Sequence, residues 1–511
     1  MKKIILTILF VLGIFICMLD TTIMNVSLPN IGEHLNIGLD SLSWALNVYL
    51  VLFAALTIPL TRLAEIFGIH KGFLLGVLLF GTGSILSALA NGLDFLLVGR
   101  AVQSVGAALV FPLSMTLGIN LVAVEKRTGM IAILGITQGI AAALGPTIGG
   151  IVTQFIGWRW IFLINVPLTV IMLIIGLFAL KLRNEKQTKQ TLDLWGSFLS
   201  MVFLSSLSLG MMQGRSWGWT SYLTITCFAV SLLGFILFLI VESRSKNPMV
   251  PLQLFANRLF AISSIIIILS ELFLVATTVI LPNYFTNIEG YDSLHASLLV
   301  APISLAIFIF SPISGFARER ISAKWLLASG FILTATGYVW LSQGALLNQF
   351  HTIVAGFLAG MGFGIITGPI LVIAAGSLDG KLLTASQSVT GVLRQVGTML
   401  AVAIFVTGLY GNLDAARSNS SQYAKTVIKK THLPSTTQVE VLNQVHKKMN
   451  TTQFVATDTS QLPSELANSI QKIENQTVIK LRNAFELLYL VSIPFVFLGA
   501  LISLLLRNKD L

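Results

Sequence analysis

Charge is what this chain has least of: 10% of its 511 residues are Asp, Glu, Lys or Arg, where a soluble domain carries about 25%. With 55% of residues apolar, no water-soluble core could hide the excess, and a sizeable soluble domain is excluded. Cysteine is scarcer still. Cys17 and Cys227 both fall inside apolar runs and imply neither a disulfide framework nor a thiolate metal site. The six histidines are scattered, with His70, His295 and His351 near the ends of apolar runs, and they form no metal-ligand cluster. A Gly-x-x-x-x-Gly-Lys-Ser/Thr nucleotide loop is missing as well. These absences argue against an enzyme and against an ATP-driven pump within the chain. No cofactor or metal is expected.

Long apolar runs are what the chain does have. A helix crossing a bilayer needs about 20 largely apolar residues. Fourteen stretches qualify, near residues 4–24, 42–61, 72–90, 94–117, 129–155, 159–180, 194–212, 221–241, 258–282, 295–317, 324–342, 350–374, 383–411 and 484–506. The expectation is an all-α integral membrane protein. A net charge of +11 could suggest nucleic acid, but its placement points to membrane lipid. With the N-terminus in the cytoplasm, Lys2, Lys3, Lys126, Arg127, Lys181, Arg183, Arg318, Arg320, Arg507 and Lys509 fall on the inner side. The short outer links hold Arg159 and Arg215. This is the positive-inside pattern, with both termini cytoplasmic. Lys2 and Lys3 ahead of the first run resemble a signal peptide, yet no small-residue cleavage site follows, so the run is expected to remain as the first helix.

The runs divide as six, two and six. Residues 1–180 hold the first six-helix half, 181–257 hold two inserted spans with their inner linkers, and 258–511 hold the second half. Weak internal symmetry supports the division. The link after span 2 places Glu65 and Gly68 before Lys71, and the link after span 10 places Glu319 before Lys324 at the same point of its block. Two related halves with a site between them are the plan of a secondary transporter. Residues 412–483 form a long polar outer link in which Val439–Val445 and Leu466–Leu481 have helical apolar spacing.

An ionisable residue within a span faces a cavity or a partner and is a functional candidate by default. Asp20, Arg100, Glu271 and Arg394 stand out. Counted from the ends of their runs at about 1.5 Å per residue, Asp20 and Arg100 lie roughly 8 to 9 Å below the outer surface, where they can pair. Glu271 and Arg394 lie roughly 17 to 20 Å from the inner side, near the midplane.

The segment Leu19-Asp20-Thr21-Thr22-Ile23-Met24-Asn25-Val26-Ser27-Leu28-Pro29 resembles the signature of the fourteen-span drug:proton antiporters of the major facilitator superfamily, the branch with QacA-like and EmrB-like multidrug exporters. Three more stretches are similar to that branch. Arg100-Ala101-Val102-Gln103-Ser104-Val105-Gly106 resembles its Arg-x-x-Gln-Gly-x-Gly motif. Gly145-Pro146-Thr147-Ile148-Gly149-Gly150 resembles the core of the antiporter motif, and Trp158 to Pro167 is typical of the branch. The chain departs from the superfamily at Thr61, Ile66 and Ile69, where Gly, Arg and Arg are usual, and at Ala132 and Ala141, where glycines are usual. The resemblance implies a major facilitator fold and brings the helices of Glu271 and Arg394 close together as a second pair.

It also implies a proton-coupled efflux transporter for amphipathic, cationic or neutral drugs. Asp20, Glu271, Arg100 and Arg394 would serve coupling and binding, Gly145, Pro146, Gly149 and Gly150 gating, and Glu65, Gly68 and Lys71 the inner-loop motif. A carboxylate screened from water gains affinity for protons and a nearby Arg takes it away, so such a pair can exchange a proton for substrate. Two other readings stay open: export of an endogenous anionic amphiphile, lipid or metabolite held by Arg100 and Arg394, and a non-transporting membrane receptor. The resemblance allows a periplasmic adaptor as a partner, although no residue pattern indicates one.

Overall fold

The computed structural model describes residues 2–123, 126–183, 185, 192–318, 320–375, 378, 380–429, 438, 442 and 464–506. Among them helix is the only regular structure. The first block comprises α1 (Lys2–Leu35), α2 (Leu39–Phe67), α3 (Ile69–Ala88), α4 (Leu93–Asn120), α5 (Arg127–Phe155) and α6 (Asn165–Ala179), the last preceded by a single turn at Trp160–Leu163. Next come α7 (Leu194–Trp217) and α8 (Tyr222–Arg244). The final block comprises α9 (Arg258–Asn287), α10 (Ser293–Ala317), α11 (Ala323–Ser342), α12 (Gln349–Ala375), α13 (Gly380–Ala401) and α14 (Ser464–Leu504). Thirteen of these helices are long and apolar enough to cross a membrane, and α5, bent by 43° between Gly129–Ala142 and Leu144–Phe155, completes fourteen. Side-chain caps mark several starts: Asp193 accepts from Gly196 N, Asn257 from Leu259 N and Asp292 from His295 N, each satisfying a backbone donor that the first turn leaves open.

Burial sorts the helices. The most apolar windows of α4 and α12 are 72% and 78% buried, against 22% for α8, so α4 and α12 line the centre and α8 faces lipid. Large apolar side chains such as Phe155, Phe178 and Tyr222 point outward, as a hydrocarbon solvent permits. Helices of one block touch through glycine, because lipid gives no hydrophobic drive and close van der Waals contact must supply the association. A Cβ on Gly106 would lie 2.7 Å from the Phe80 Cα, and one on Gly99 2.6 Å from the Ser87 N. In the second block the equivalent pair, α11 and α12, meets where Gly330 abuts the Gly362 backbone. We therefore expect Gly106→Leu to lower the melting temperature of the detergent-solubilised protein and cost at least about 1–3 kcal/mol through overpacking, while Gly92→Ala, which meets nothing within 4 Å, leaves it unchanged. Equal melting of the two variants would refute this packing account.

The two blocks meet at the ends nearer the chain termini. There Gly135 of α5 lies against Leu371 of α12, and Gly139 has room for a Cβ only 3.1 Å from Thr367 and 3.4 Å from Ile307 of α10. At the other end α5 leans on α1, where Ser27 and Thr153 share a hydroxyl hydrogen bond of 2.6 Å.

Helix lengths differ from the sequence expectation in two places. α1 does not stop near residue 24, because Thr21 and Thr22 return their hydroxyls to the carbonyls of Met18 and Leu19 and so keep their polar atoms inside the helix. Asp20 therefore lies about 22 Å from the end of α1, not roughly 8 Å. α13 continues through a π turn at Val402–Val406 into Thr407–Ile428. Leu413, Ala416 and Ala424 of that extension share a buried face. Ala424 and Ile428 pack on Ile470 and Ile473 of α14. The expected surface helix at Leu466–Leu481 is thus the first part of α14; that at Val439–Val445 falls, apart from Leu442, outside the described residues.

Candidate functional site: two buried carboxylate–arginine pairs

The first pair is built by α1 and α4. Asp20 and Arg100 are both fully buried, and Arg100 Nη1 donates to Asp20 Oδ2 at 2.6 Å. Buried charge survives when it is paired and hydrogen-bonded, and the neighbouring helices provide most of that, with Arg100 Nη2 alone of its nitrogens buried without a hydrogen-bond partner among the described residues. Gln103 Nε2 donates to Asp20 Oδ1 at 2.7 Å and to Ser84 Oγ at 2.9 Å. Asn165 Nδ2 reaches Asp20 Oδ1 at 3.3 Å. Arg100 Nη1 also donates to Gln103 Oε1 at 2.8 Å and its Nε to the Ala45 carbonyl at 3.1 Å. The guanidinium lies 4.2 Å from the Tyr49 ring centroid, a cation–π contact that covers its remaining face. Five helices thus converge on one ion pair.

The second pair joins α9 and α13. Arg394 Nη1 donates to Glu271 Oε1, and both residues are 5% exposed. Gly397, one turn beyond Arg394, makes the contact possible: a Cβ there would come within 2.8 Å of the Glu271 Cβ and 2.7 Å of the Ile268 carbonyl. The surroundings differ sharply from those of Asp20. Among the described residues, Glu271 accepts from Arg394 alone, and Arg394 Nε is buried without a hydrogen-bond partner. Neutralising Asp20 would weaken three hydrogen bonds to a carboxylate, one of them from a cation. Neutralising Glu271 would weaken one.

The remaining candidates are spread out. Gly145 and Gly149 press on α1 of their own block, where a Cβ would collide with the Thr22 hydroxyl and the Ile23 carbonyl; Pro146 and Gly150 are buried beside them. The contact with the opposite block is made instead by Gly135 and Gly139 on the earlier part of α5. The inner-loop motif is not brought together as a unit. Glu65 is bonded to Arg62 of its own helix. Gly68 has φ +122° at the sharp α2–α3 turn, a conformation that favours glycine. Lys71 is exposed. Glu185 supplies a contact with this turn instead, accepting from the His70 backbone N–H at 2.6 Å.

Gln103, Asn165 and Ser84 are site residues to which the sequence reading gave no role. Gln103 and Asn165 stand inside the family-like stretches around Arg100 and Trp158, and one turn separates Arg100 from Gln103; that spacing was the available signal.

The profile described as Major Facilitator Superfamily matches residues 10–402. The probable multidrug resistance protein EmrY of Escherichia coli is 32% identical over 78% of this chain and 79% of its own length. The multidrug resistance protein Stp of Mycobacterium tuberculosis is 29% identical over 79% and 75%, and the multidrug export protein EmrB of Escherichia coli is 29% identical over 80% of each chain.

Proposed function

Since the chain belongs to the major facilitator superfamily, whose members are transporters and not enzymes, we propose that it exports amphipathic, cationic or neutral drugs across a bacterial cytoplasmic membrane in exchange for protons, with both termini cytoplasmic. The names of its multidrug relatives support drugs as the cargo. The single observation that carries the coupling mechanism is the contrast between the pairs. Asp20 is held by three side-chain donors, which suits a scaffold that fixes α1, α4 and α6 together. Glu271 is held by one, which suits a group that trades its partner.

In this reading a proton reaching Glu271 releases Arg394, and α9 and α13 lose the attachment that holds them in register. The blocks then rock. A lipophilic cation needs a carboxylate and no rigid shape match, so cation and proton compete for Glu271 and the two fluxes run in opposite directions. Arg394, with its unbonded Nε, keeps the anionic-cargo reading in view: a carboxylate or phosphate could take that donor.

Transport by inverted vesicles separates the two. Vesicles energised with an acidic interior are expected to accumulate ethidium and not a fluorescent fatty acid. Accumulation of the fatty acid alone would replace the drug reading with export of an anionic amphiphile.

A further inference from the structure

Away from both pairs, a cavity of about 580 Å³ opens among the inner end of α2, the first turns of α13 and the linker from α8 to α9. Its volume lies in the range of small-molecule sites. Three separate bodies wall it: Thr61, Arg62 and Glu65 come from the first block, Ala385 and Ser388 from the second, and Glu242 from the inserted pair. Any rocking of one block against the other therefore changes its shape.

The charge lining it is unbalanced. Arg62 is engaged by Glu65. Glu242 is 3% exposed and, among the described residues, has no ion-pair partner; it accepts the linker amides of Met249 at 3.1 Å and Val250 at 3.3 Å. An ionised carboxylate offers about four acceptor positions, so two remain. Asp193 adds a second negative charge within electrostatic reach of Glu242, opposed by Arg62 of the cavity wall, and Lys246 is exposed at the rim. Among the described lining residues two buried carboxylates, Glu65 and Glu242, stand against one buried cation, Arg62, and hydroxyls of Thr61 and Ser388 stand ready to accept further donors.

We infer that this cavity is a binding site for a protonated organic amine, held by Glu242 and present only while α2 and α13 are in this arrangement. An occupant ties both blocks to the inserted helices and so selects one orientation of the transporter. The inserted pair, peripheral in the fold, acquires a role through its linker. The inference does not depend on proton coupling at Glu271. The ammonium could be that of a lipid headgroup or of a soluble amphiphile arriving from the inner side.

The test uses the full-length Ala385→Cys variant in vesicles, with modification measured above the background of the parent chain. A trimethylammonium-bearing methanethiosulfonate is expected to react about tenfold faster than a sulfonate-bearing one, after normalisation to free cysteine, because the carboxylate lining the same cavity raises local cation concentration. Glu242→Gln should bring that ratio close to one. A ratio of one or less with Glu242 in place overturns the proposal, as does an unchanged ratio in a folded Glu242→Gln protein. Should Glu242→Gln fail to fold, protection decides with Glu242 present. Protection is read with an uncharged methanethiosulfonate, whose approach is insensitive to the surface charge of the vesicle: slower modification in phosphatidylethanolamine than in phosphatidylglycerol vesicles assigns the amine to a headgroup; slower modification on adding dodecylamine to phosphatidylglycerol vesicles assigns it to a soluble amphiphile; protection by neither contradicts the site.

Discussion

Arg100→Met is expected to cost about 3–5 kcal/mol of stability, the usual penalty for leaving one member of a buried ion pair without its counter-charge. The structure places the cost at the upper end. Asp20 would keep only Gln103 and Asn165 as donors, and both it and the site of Arg100 are completely buried. Removing the guanidinium also leaves Gln103 Oε1 without its donor, and a buried acceptor left open adds its own desolvation cost. The double variant Asp20→Asn/Arg100→Met should recover most of the loss, since no unpaired charge remains. Thermal melting in detergent with a double-mutant cycle measures this. Additive losses would mean that the two side chains do not act as a pair, and the scaffold role given to Asp20 would fall.

Glu271→Gln should remove the coupling and also cost stability, up to about 3–5 kcal/mol, because Arg394 keeps its charge without a counter-charge, so its transport is read on the protein that remains folded. Gln preserves the side-chain volume between α9 and Gly397, and its carbonyl can still accept from Arg394. It can neither lose a proton nor neutralise a cation. For one proton exchanged per cation, wild-type vesicles should sustain about a tenfold substrate gradient per unit of pH, since about 1.36 kcal/mol corresponds to a factor of ten. Glu271→Gln vesicles should sustain none, while exchange of labelled for unlabelled neutral substrate persists. A variant that still concentrates ethidium would move the coupling away from Glu271.

Much of this was legible before any coordinates. Fourteen spans follow from hydropathy because a bilayer forces each crossing to be long, apolar and helical. The two pairs were legible because a charge in a span needs a partner, and few candidates existed. The depth argument placed Glu271 correctly relative to the start of α9 at Arg258, whose first turn is marked by the Asn257 cap. It misplaced the end of α1, because the run of Thr21 and Thr22 looks like a polar exit until their hydroxyls are seen bonding inside the helix.

What the sequence could not supply was lateral. Which face of α4 turns to α1, and hence that Gln103 and Ser84 join Asp20, depends on helix rotation set by contacts such as Gly99 against Ser87 and Gly106 against Phe80. The same holds for α5, where the candidate gating residues Gly145 and Gly149 face α1, while Gly135 and Gly139 face the other block. The cavity at Glu242 was equally hidden. It assembles residues separated by more than three hundred positions, from Thr61 to Ser388, and no local pattern announces it.

The central claim, that a proton taken up at Glu271 is exchanged for a drug, is tested most directly by proton release from inverted vesicles energised to an acidic interior. Lipophilic cations and then anionic amphiphiles would be added, with wild type beside Asp20→Asn and Glu271→Gln. The account predicts that cations dissipate the gradient in wild type and that Glu271→Gln abolishes the response, while Asp20→Asn lowers it only in proportion to the folded protein that remains. A full response from Glu271→Gln, with none from an equally well-folded Asp20→Asn, would contradict the account and place the proton at the first pair.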